Sequence, residues 1–314
     1  MHLAFFLARL CPAESEGAMA QGDLSDIAFE SAKDEFADYA VYKRLSELRF
    51  EKTHGFSKTL SRLAGMEYRH YVFWKKYCPD RKPTASKLKV YQIVLIRLIL
   101  GVTFAVRYLE RDETKTIKKY KEVAGLIPRG DVRRFKEMIA DEEEHEREFE
   151  SQFNEPHIKY ISFIVLGLAD ALVEIAGIHA GSLGIYNSTE LAGLAGIIAG
   201  AAASIAMASA AYAQAKAGFK GSAAMSAVYT GISYFVTAVI LATPYFLTKV
   251  MLDALLASLT FAIALIAFIS FYGAVISGAV FKKDFIEITS IMFGATIALY
   301  LLGTAIRYFT GMTI

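Results

Sequence analysis

Two short segments place a carboxylate and an imidazole three residues apart, "MEYRH" at 66–70 and "EEEHE" at 142–146. The pairs are Glu67 with His70 and Glu142 with His145. Residues at i and i+3 of an α-helix share a face, so both members of a pair can reach one metal ion. Carboxylates with one imidazole per ion suit iron or manganese, whereas tight zinc sites use thiolates or more imidazoles. The repeated pair therefore indicates metal binding.

Each pair is preceded by a glutamate that is followed seven residues later by a tyrosine. Glu35 precedes Tyr42, and Glu113 precedes Tyr120. Seven residues make two helical turns, so each tyrosine lies on its glutamate's face, about 10 Å along the helix. From there a phenol can hydrogen-bond a metal-binding carboxylate of the opposite helix, so both tyrosines are candidate catalytic residues in a supporting role. The candidate metal ligands are Glu35, Glu67, His70, Glu113, Glu142 and His145.

Residues 24–155 are predicted to be mainly helical, because helix-favouring residues dominate and breaks come only at Gly55, 78–86 and 125–131. Two E-x-x-H helices with a glutamate from each of two others form the six-ligand di-iron site of four-helix bundles. The region resembles the ferritin-like superfamily, specifically its rubrerythrin branch. That resemblance implies a bundle holding two iron ions, or Mn²⁺, with ferroxidase activity left open. No CxxC pairs follow, which weakens a peroxidase function with its own electron supply.

One apolar stretch, 90–110, fits the bundle less simply. Arg97 and Arg107 interrupt it, which argues against a membrane span. A four-helix bundle also needs a long crossover between its second and third helices. We therefore interpret 86–100 as that crossover or as an interfacial helix, with the third helix starting near Gly101.

Charge divides the chain into two parts. Of 34 Lys and Arg residues only seven follow residue 157, and of 32 Asp and Glu residues only six do. A charged domain at 24–155 and an apolar domain at 156–314 are predicted, after a disordered leader at 1–23. The net charge of +2 gives no sign of nucleic-acid binding, and two cysteines are too few for a disulfide framework.

The apolar part contains five segments that each offer about 20 or more mostly apolar residues, enough to cross a bilayer. They run over 160–186, 190–214, 222–247, 253–280 and 286–308. Gly196 and Gly200 form a small-xxx-small step that lets helices approach closely. Basic residues cluster on the side that holds the N-terminus, which predicts a cytoplasmic first domain in a cell-membrane protein.

Two acids lie inside the first predicted span. Asp170 falls about 15 Å from the inner end, and Glu174 follows on the same face. Buried acids in lipid face a partner or a pathway, or stay protonated and hold helices together. Met207 on the second span lies at a similar depth and offers a soft metal ligand. His179 is expected to be an interfacial or packing residue.

These spans resemble the vacuolar iron transporter family, through "DALVEIAGIHAG" at 170–181 and, loosely, "AMASAAYAQ" at 206–214. The resemblance implies a five-span homodimer that exports Fe²⁺ or Mn²⁺ in exchange for protons, with Asp170 and Met207 on the metal path. Ala211 stands where that family has a glutamate, and we expect Glu174 to supply the carboxylate. Asp284 and Glu287, at the inner end of the fifth span, are candidate uptake ligands.

The two halves together resemble the membrane-bound ferritin family. The resemblance implies an all-α protein, a ferritin-like four-helix bundle followed by a five-helix membrane domain, that exports iron and maintains iron homeostasis. The bundle would collect, oxidise or sense the metal. The alternatives are a membrane-anchored ferroxidase or peroxide scavenger, and a sensor that binds iron without turnover and gates the pore.

Overall fold

The computed structural model describes the backbone of residues 16–49, 56–111, 113–152, 159–186 and 188–311. Side chains are described in these ranges except at 16–23, 113–114 and 143–152. Every regular element in the described ranges is a helix, which confirms the predicted all-α class. The chain divides into two compact units, unit 1 at Met1–Asn154 and unit 2 at Glu155–Ile314.

Unit 1 contains six α-helices in its described residues. They are α1 (Glu16–Ser46), α2 (Phe56–Lys75), α3 (Lys87–Leu100), α4 (Val102–Glu110), α5 (Glu113–Val123) and α6 (Val132–Gln152), with a 3₁₀ turn at Ala124–Leu126. The most extensive packing joins α1 to α2. α1 begins at Glu16, within the predicted leader of 1–23, and 1–15 lie outside the described residues.

Two apolar clusters hold unit 1 together. One packs Tyr42 and Leu45 of α1 against Leu63 of α2 and Val102 of α4. The other packs Leu24, Trp74, Tyr120 and Phe135, which come from α1, α2, α5 and α6. Asp131, just before α6, accepts hydrogen bonds from Lys76 and Tyr77 just after α2. Helices distant in sequence are thus fixed side by side.

Residues 86–110 fold as two helices separated by a glycine. The Ser86 side chain caps α3 by accepting a hydrogen bond from the Lys89 amide. Gly101 has φ 93°, a left-handed conformation that only glycine adopts without strain, and the chain turns there into α4. The predicted third helix is therefore not one continuous element after Gly101, because a further break separates α4 from α5. A regular four-helix bundle stays a prediction.

Unit 2 contains five long apolar helices. They are α7 (Ile161–Ile185), α8 (Thr189–Lys216), α9 (Ala223–Leu247), α10 (Met251–Ser277) and α11 (Phe281–Thr310). Each is long and apolar enough to cross a membrane, so the five predicted segments are candidate spans and indicate a membrane protein. Ser188 and Ser222 cap α8 and α9 through their side chains, which places the helix starts at short polar turns.

Glycines allow the helices of unit 2 to touch backbone to backbone. A Cβ added at Gly303 of α11 would lie 2.3 Å from the carbonyl oxygen of Gly181 on α7. A Cβ added at Gly167 of α7 would lie 2.3 Å from the carbonyl oxygen of Thr230 on α9. Contacts this short leave no room for a side chain, so both crossings require glycine. Lipid offers no hydrophobic drive for association, and close packing of this kind takes its place.

Candidate metal centre

Three helices of unit 1 bring four of the predicted ligands together. Glu35 comes from α1, Glu67 and His70 from one face of α2, and Glu142 from α6. One ligand atom from each lies within 4.8 Å of all the others. The four residues are 2–5% exposed. Three carboxylates and an imidazole, buried and converging, match the donor set of iron and manganese sites, so the residues present fit a metal ion.

The imidazole of His70 faces the carboxylates with one nitrogen and leaves the other for a different partner. Its Nδ1 lies 2.8 Å from Glu142 Oε1, 3.6 Å from Glu35 Oε2 and 3.8 Å from Glu67 Oε2. Its Nε2 lies 3.6 Å from Asp141 Oδ2. A carboxylate behind the second nitrogen fixes the orientation of a metal-binding histidine and raises its basicity. Nδ1 is therefore the nitrogen placed to bind a metal ion together with the three carboxylates.

Burial and mutual repulsion perturb the titration of these groups. Burial, followed by the charges of Glu142 and Glu35, raises the pKa of Glu67 well above its usual value. Burial alone lowers the pKa of His70, but its contacts with Glu142 and Glu35 outweigh burial and raise that pKa to about 10. Without a metal cation the cluster therefore balances its carboxylates with protons, and a metal must displace them.

An aromatic hydrogen-bond chain supports the glutamate of α1. The Tyr120 hydroxyl donates a hydrogen bond to Glu35 Oε1, and the Trp74 indole N–H donates to the Tyr120 oxygen at 3.1 Å. Trp74 and Tyr120 are 0% and 1% exposed. Burial, followed by the charges of Glu35 and Glu142, raises the pKa of the Tyr120 phenol, so the phenol keeps its proton and acts as a donor. Tyr120 lies on α5 and Glu35 on α1, so this hydrogen bond joins two helices that are distant in sequence.

A cavity of about 280 Å³ opens beside the cluster. Its described lining residues are Asp34, Glu35, Asp38, Glu67, Lys89, Leu109, Glu110, Thr116 and Glu142. Lys89 Nζ lies 2.7 Å from Asp38 Oδ1. Burial raises the pKa of Asp38 to about 6 although Lys89 acts in the opposite direction. A cation that reaches the cluster through this cavity therefore passes a strongly acidic wall.

Three of the predicted site residues in unit 1 have no described contact with this cluster. The side chains of Glu113 and His145 lie outside the described residues, so their roles as ligands stay predictions. Tyr42 is fully buried, and its hydroxyl has no hydrogen-bond partner within the described residues. Its ring belongs to the apolar cluster between α1 and α2, which is a packing role.

Sequence reasoning missed four residues around the cluster. Asp38 lies three residues after Glu35, and Trp74 lies seven residues after Glu67, so helical spacing could have indicated both. Asp141 directly precedes Glu142 among other acids and carries no distinguishing signal. Lys89 lies in the stretch interpreted as a crossover, and only the tertiary fold brings it to the cavity.

In unit 2 the predicted path residues occupy different environments. Glu174 of α7 accepts a hydrogen bond of 2.5 Å from the Tyr234 hydroxyl of α9. Asp170 is half-buried one turn earlier, and Met207 packs against the apolar cluster around Leu172 and Ile175. Tyr234 is a further residue that the sequence did not indicate.

The remaining predicted residues lie nearer the helix ends. Asp284 is half-buried and Glu287 is exposed, both on the first two turns of α11. His179 is fully buried against Tyr245, with ring centroids 4.2 Å apart, as a packing residue would be.

Comparison with protein-family models, with curated proteins and with solved structures finds no match for this chain. The family resemblances therefore rest on the motifs quoted above, and the function has to be argued from the geometry.

Proposed function

We propose that this protein is a membrane transporter that exports Fe²⁺, or Mn²⁺, from the cytoplasm in exchange for protons, with a metal-binding domain on the cytoplasmic side. One observation carries the proposal. A buried cluster of three glutamates and one histidine occurs in the same chain as five helices that are long and apolar enough to span a membrane. Metal binding and membrane crossing are the two parts that such a transporter needs.

The arrangement of the ligands in unit 1 supports reversible binding of a divalent cation. The ligands come from three helices that are fixed by apolar packing, so the site is built before the cation arrives. The Tyr120 hydrogen bond orients Glu35, and the Asp141 carboxylate lies 3.6 Å from His70 Nε2. In the proposal the site holds two iron ions, and Glu113 and His145 complete the ligands of the second ion. Bound iron would supply redox chemistry that the side chains lack.

The acids of α7 support passage through unit 2. A carboxylate inside a lipid-embedded helix costs several kcal/mol unless it has a partner or a function. Glu174 has a partner in Tyr234, whereas Asp170 is half-buried one turn away. In the proposal Asp170, Glu174 and Met207 bind the cation in transit, and Asp284 and Glu287 collect it. Protonation of the acids on the far side releases it. A homodimer is proposed, because five helices alone give little room for an enclosed path.

Flux measurements in liposomes test the proposal. The full chain is reconstituted with a set pH gradient, and Fe²⁺ or Mn²⁺ movement is followed with a trapped indicator. Asp170→Ala should abolish flux while metal binding by unit 1 is retained. Asp253→Ala is the matched control, since Asp253 is exposed in the first turn of α10. Undiminished flux through Asp170→Ala would remove the proposed path.

A second function is favoured by the aromatic chain beside the cluster. Trp74 and Tyr120, whose indole and phenol rings can each be oxidised by one electron, form a buried, hydrogen-bonded pair that contacts Glu35. Unit 1 would then be a membrane-anchored ferroxidase or peroxide scavenger, and unit 2 chiefly an anchor. Purified protein that oxidises Fe²⁺ with oxygen or peroxide, while liposomes show no metal flux, would establish this function instead.

A further inference from the structure

Lys89 occupies a distinctive place in unit 1. Six carboxylates line the cavity beside the metal cluster, and Lys89 is the one basic side chain among the described residues that line it. The carboxylates are Asp34, Glu35, Asp38, Glu67, Glu110 and Glu142. Three of them belong to the four-residue cluster, so the ammonium group shares a cavity with the metal-binding glutamates.

The ammonium is held by a carboxylate next to the cluster. Lys89 Nζ lies 2.7 Å from Asp38 Oδ1, and Asp38 follows Glu35 by one helical turn on α1. The Ser86 cap fixes the start of α3, and Ile93 one turn further on is buried, so the backbone of Lys89 is anchored. The side chain of Lys89 is 40% exposed, so the protein does not enclose its four-carbon stem.

A second cavity adjoins the acidic cavity at Lys89 and could hold its side chain. This space, about 450 Å³, is lined by Lys89, Gln92, Ile93, Leu95, Ile96, Tyr108, Leu109 and Arg111. Lys89 and Leu109 line both cavities and therefore stand at their boundary. A rotation of the lysine side chain moves its charge from the acidic cavity to one whose described lining residues include Arg111 and no acid.

We propose that Lys89 is a displaceable counter-cation that controls how many divalent cations the centre of unit 1 holds. With its ammonium on Asp38, it occupies an oxygen that a cation would use and repels a divalent charge from the acidic cavity. A cation bound by Glu35, Glu67, His70 and Glu142 is accommodated beside it. A further cation in the cavity requires the ammonium to leave. The inference rests on the proposed metal binding by unit 1.

The chemistry of lysine suits this role. An ammonium is a compact point charge on a flexible stem, with donors and no acceptor, so it can neutralise a carboxylate but cannot ligate a metal. Repulsion between an ammonium and a divalent ion inside a partly buried cavity is worth about tenfold or more in affinity. The result is a centre whose additional cation position fills only at higher metal concentration.

The test uses Mn²⁺ as the probe, because it binds carboxylates and gives a direct magnetic resonance signal for free and bound ion. The full chain in detergent is titrated by calorimetry and by electron paramagnetic resonance. Lys89→Gln should tighten the weaker Mn²⁺ binding step by about tenfold or more and leave the tighter step within about threefold. Lys89→Arg, which retains the charge, should behave as the wild type.

Lys87→Gln is the matched control. Lys87 lies two residues away on α3, is exposed and is not among the residues that line either cavity, so it loses the same charge without facing the cluster. Unchanged Mn²⁺ binding is expected. If Lys89→Gln is also unchanged, the inference is overturned and Lys89 only ties α3 to α1. A wild-type protein that binds no Mn²⁺ would overturn the metal-binding function as well, so the two failures differ.

A second pair of variants keeps the test decisive if Lys89→Gln folds poorly. Asp38→Asn is compared with Asp38→Asn/Lys89→Gln, in which an amide faces an amide and no buried charge is left unpaired. Removal of the lysine charge should again tighten the weaker binding step by about tenfold or more. Equal affinities in these two variants would refute control by Lys89.

Discussion

Removal of the Tyr120 hydroxyl tests whether its hydrogen bonds stabilise unit 1 and hold Glu35 in place. Tyr120→Phe keeps the ring, which packs against Trp74 and Phe135, and deletes one oxygen that makes two hydrogen bonds. The indole N–H of Trp74 then lies buried without that acceptor, at a cost of about 1–3 kcal/mol. Glu35 loses a donor to its carboxylate, a contact worth about 1.5–3 kcal/mol. Since the two losses overlap, we expect the free energy of unfolding of unit 1 to fall by about 2–4 kcal/mol.

The assay exploits the chain's one tryptophan, Trp74, whose fluorescence reports on unit 1 alone. Urea titration of the detergent-solubilised full chain should show the midpoint falling by about 1–2 M, with a slope near 2 kcal/mol/M. Mn²⁺ affinity should fall about tenfold to hundredfold, because Glu35 is no longer held in place. Tyr68→Phe is the control, since Tyr68 is 46% exposed.

A free energy of unfolding for Tyr120→Phe within about 0.5 kcal/mol of the Tyr68→Phe control, together with unchanged Mn²⁺ affinity, would refute the reasoning. The hydrogen bonds from Trp74 to Tyr120 and from Tyr120 to Glu35 would then contribute neither to stability nor to metal binding. A loss of stability with unchanged affinity would show that Tyr120 stabilises the fold but does not position the glutamate.

Three further predictions concern other parts of the molecule. The contacts with Glu142 and Glu35 raise the pKa of His70 to about 10, so its imidazole is protonated at pH 7. Metal binding should therefore release about one proton or more per cation, and metal affinity should rise with pH. Calorimetry in buffers of different ionisation enthalpy measures the proton release. The hydrogen bonds from Lys76 and Tyr77 hold the pKa of Asp131 below its usual value. Asp131→Asn should therefore lower the urea midpoint at pH 7, and the difference should vanish as pH falls through the pKa that Asp131 has in the folded protein. Gly303→Leu should lower the melting temperature of the solubilised protein, whereas Gly294→Leu, with nothing within 4 Å of its Cβ position, should not.

The membrane helices were predictable because their signal is local. A run of apolar residues long enough to cross a bilayer shows in composition alone, and α7 to α11 begin and end within six residues of the predicted spans. The cluster of Glu35, Glu67, His70 and Glu142 was predictable for a different reason. Its i, i+3 pair and its repeated order express a helical face, which sequence spacing records directly.

The rest depends on tertiary contacts that spacing does not record. Lys89 reaches the cavity only because α3 packs against α1, and Asp141 stands behind His70 only because α6 lies beside α2. The break after α4 was not predicted because no glycine or proline marks it between Val102 and Val123. Gly101 was recognised as a boundary because glycine interrupts an otherwise apolar helical run, and its positive φ gives the reason.

The glycine crossings of unit 2 determine which of its parts can move. α7 and α11 touch through main-chain atoms at Gly181 and Gly303, and again where a Cβ on Gly184 would lie 2.8 Å from the Thr304 nitrogen. Surfaces without side chains cannot slide past one another by switching rotamers. These two helices are therefore expected to move together as one rigid pair, so relative motion within unit 2 has to occur at contacts other than the one between α7 and α11.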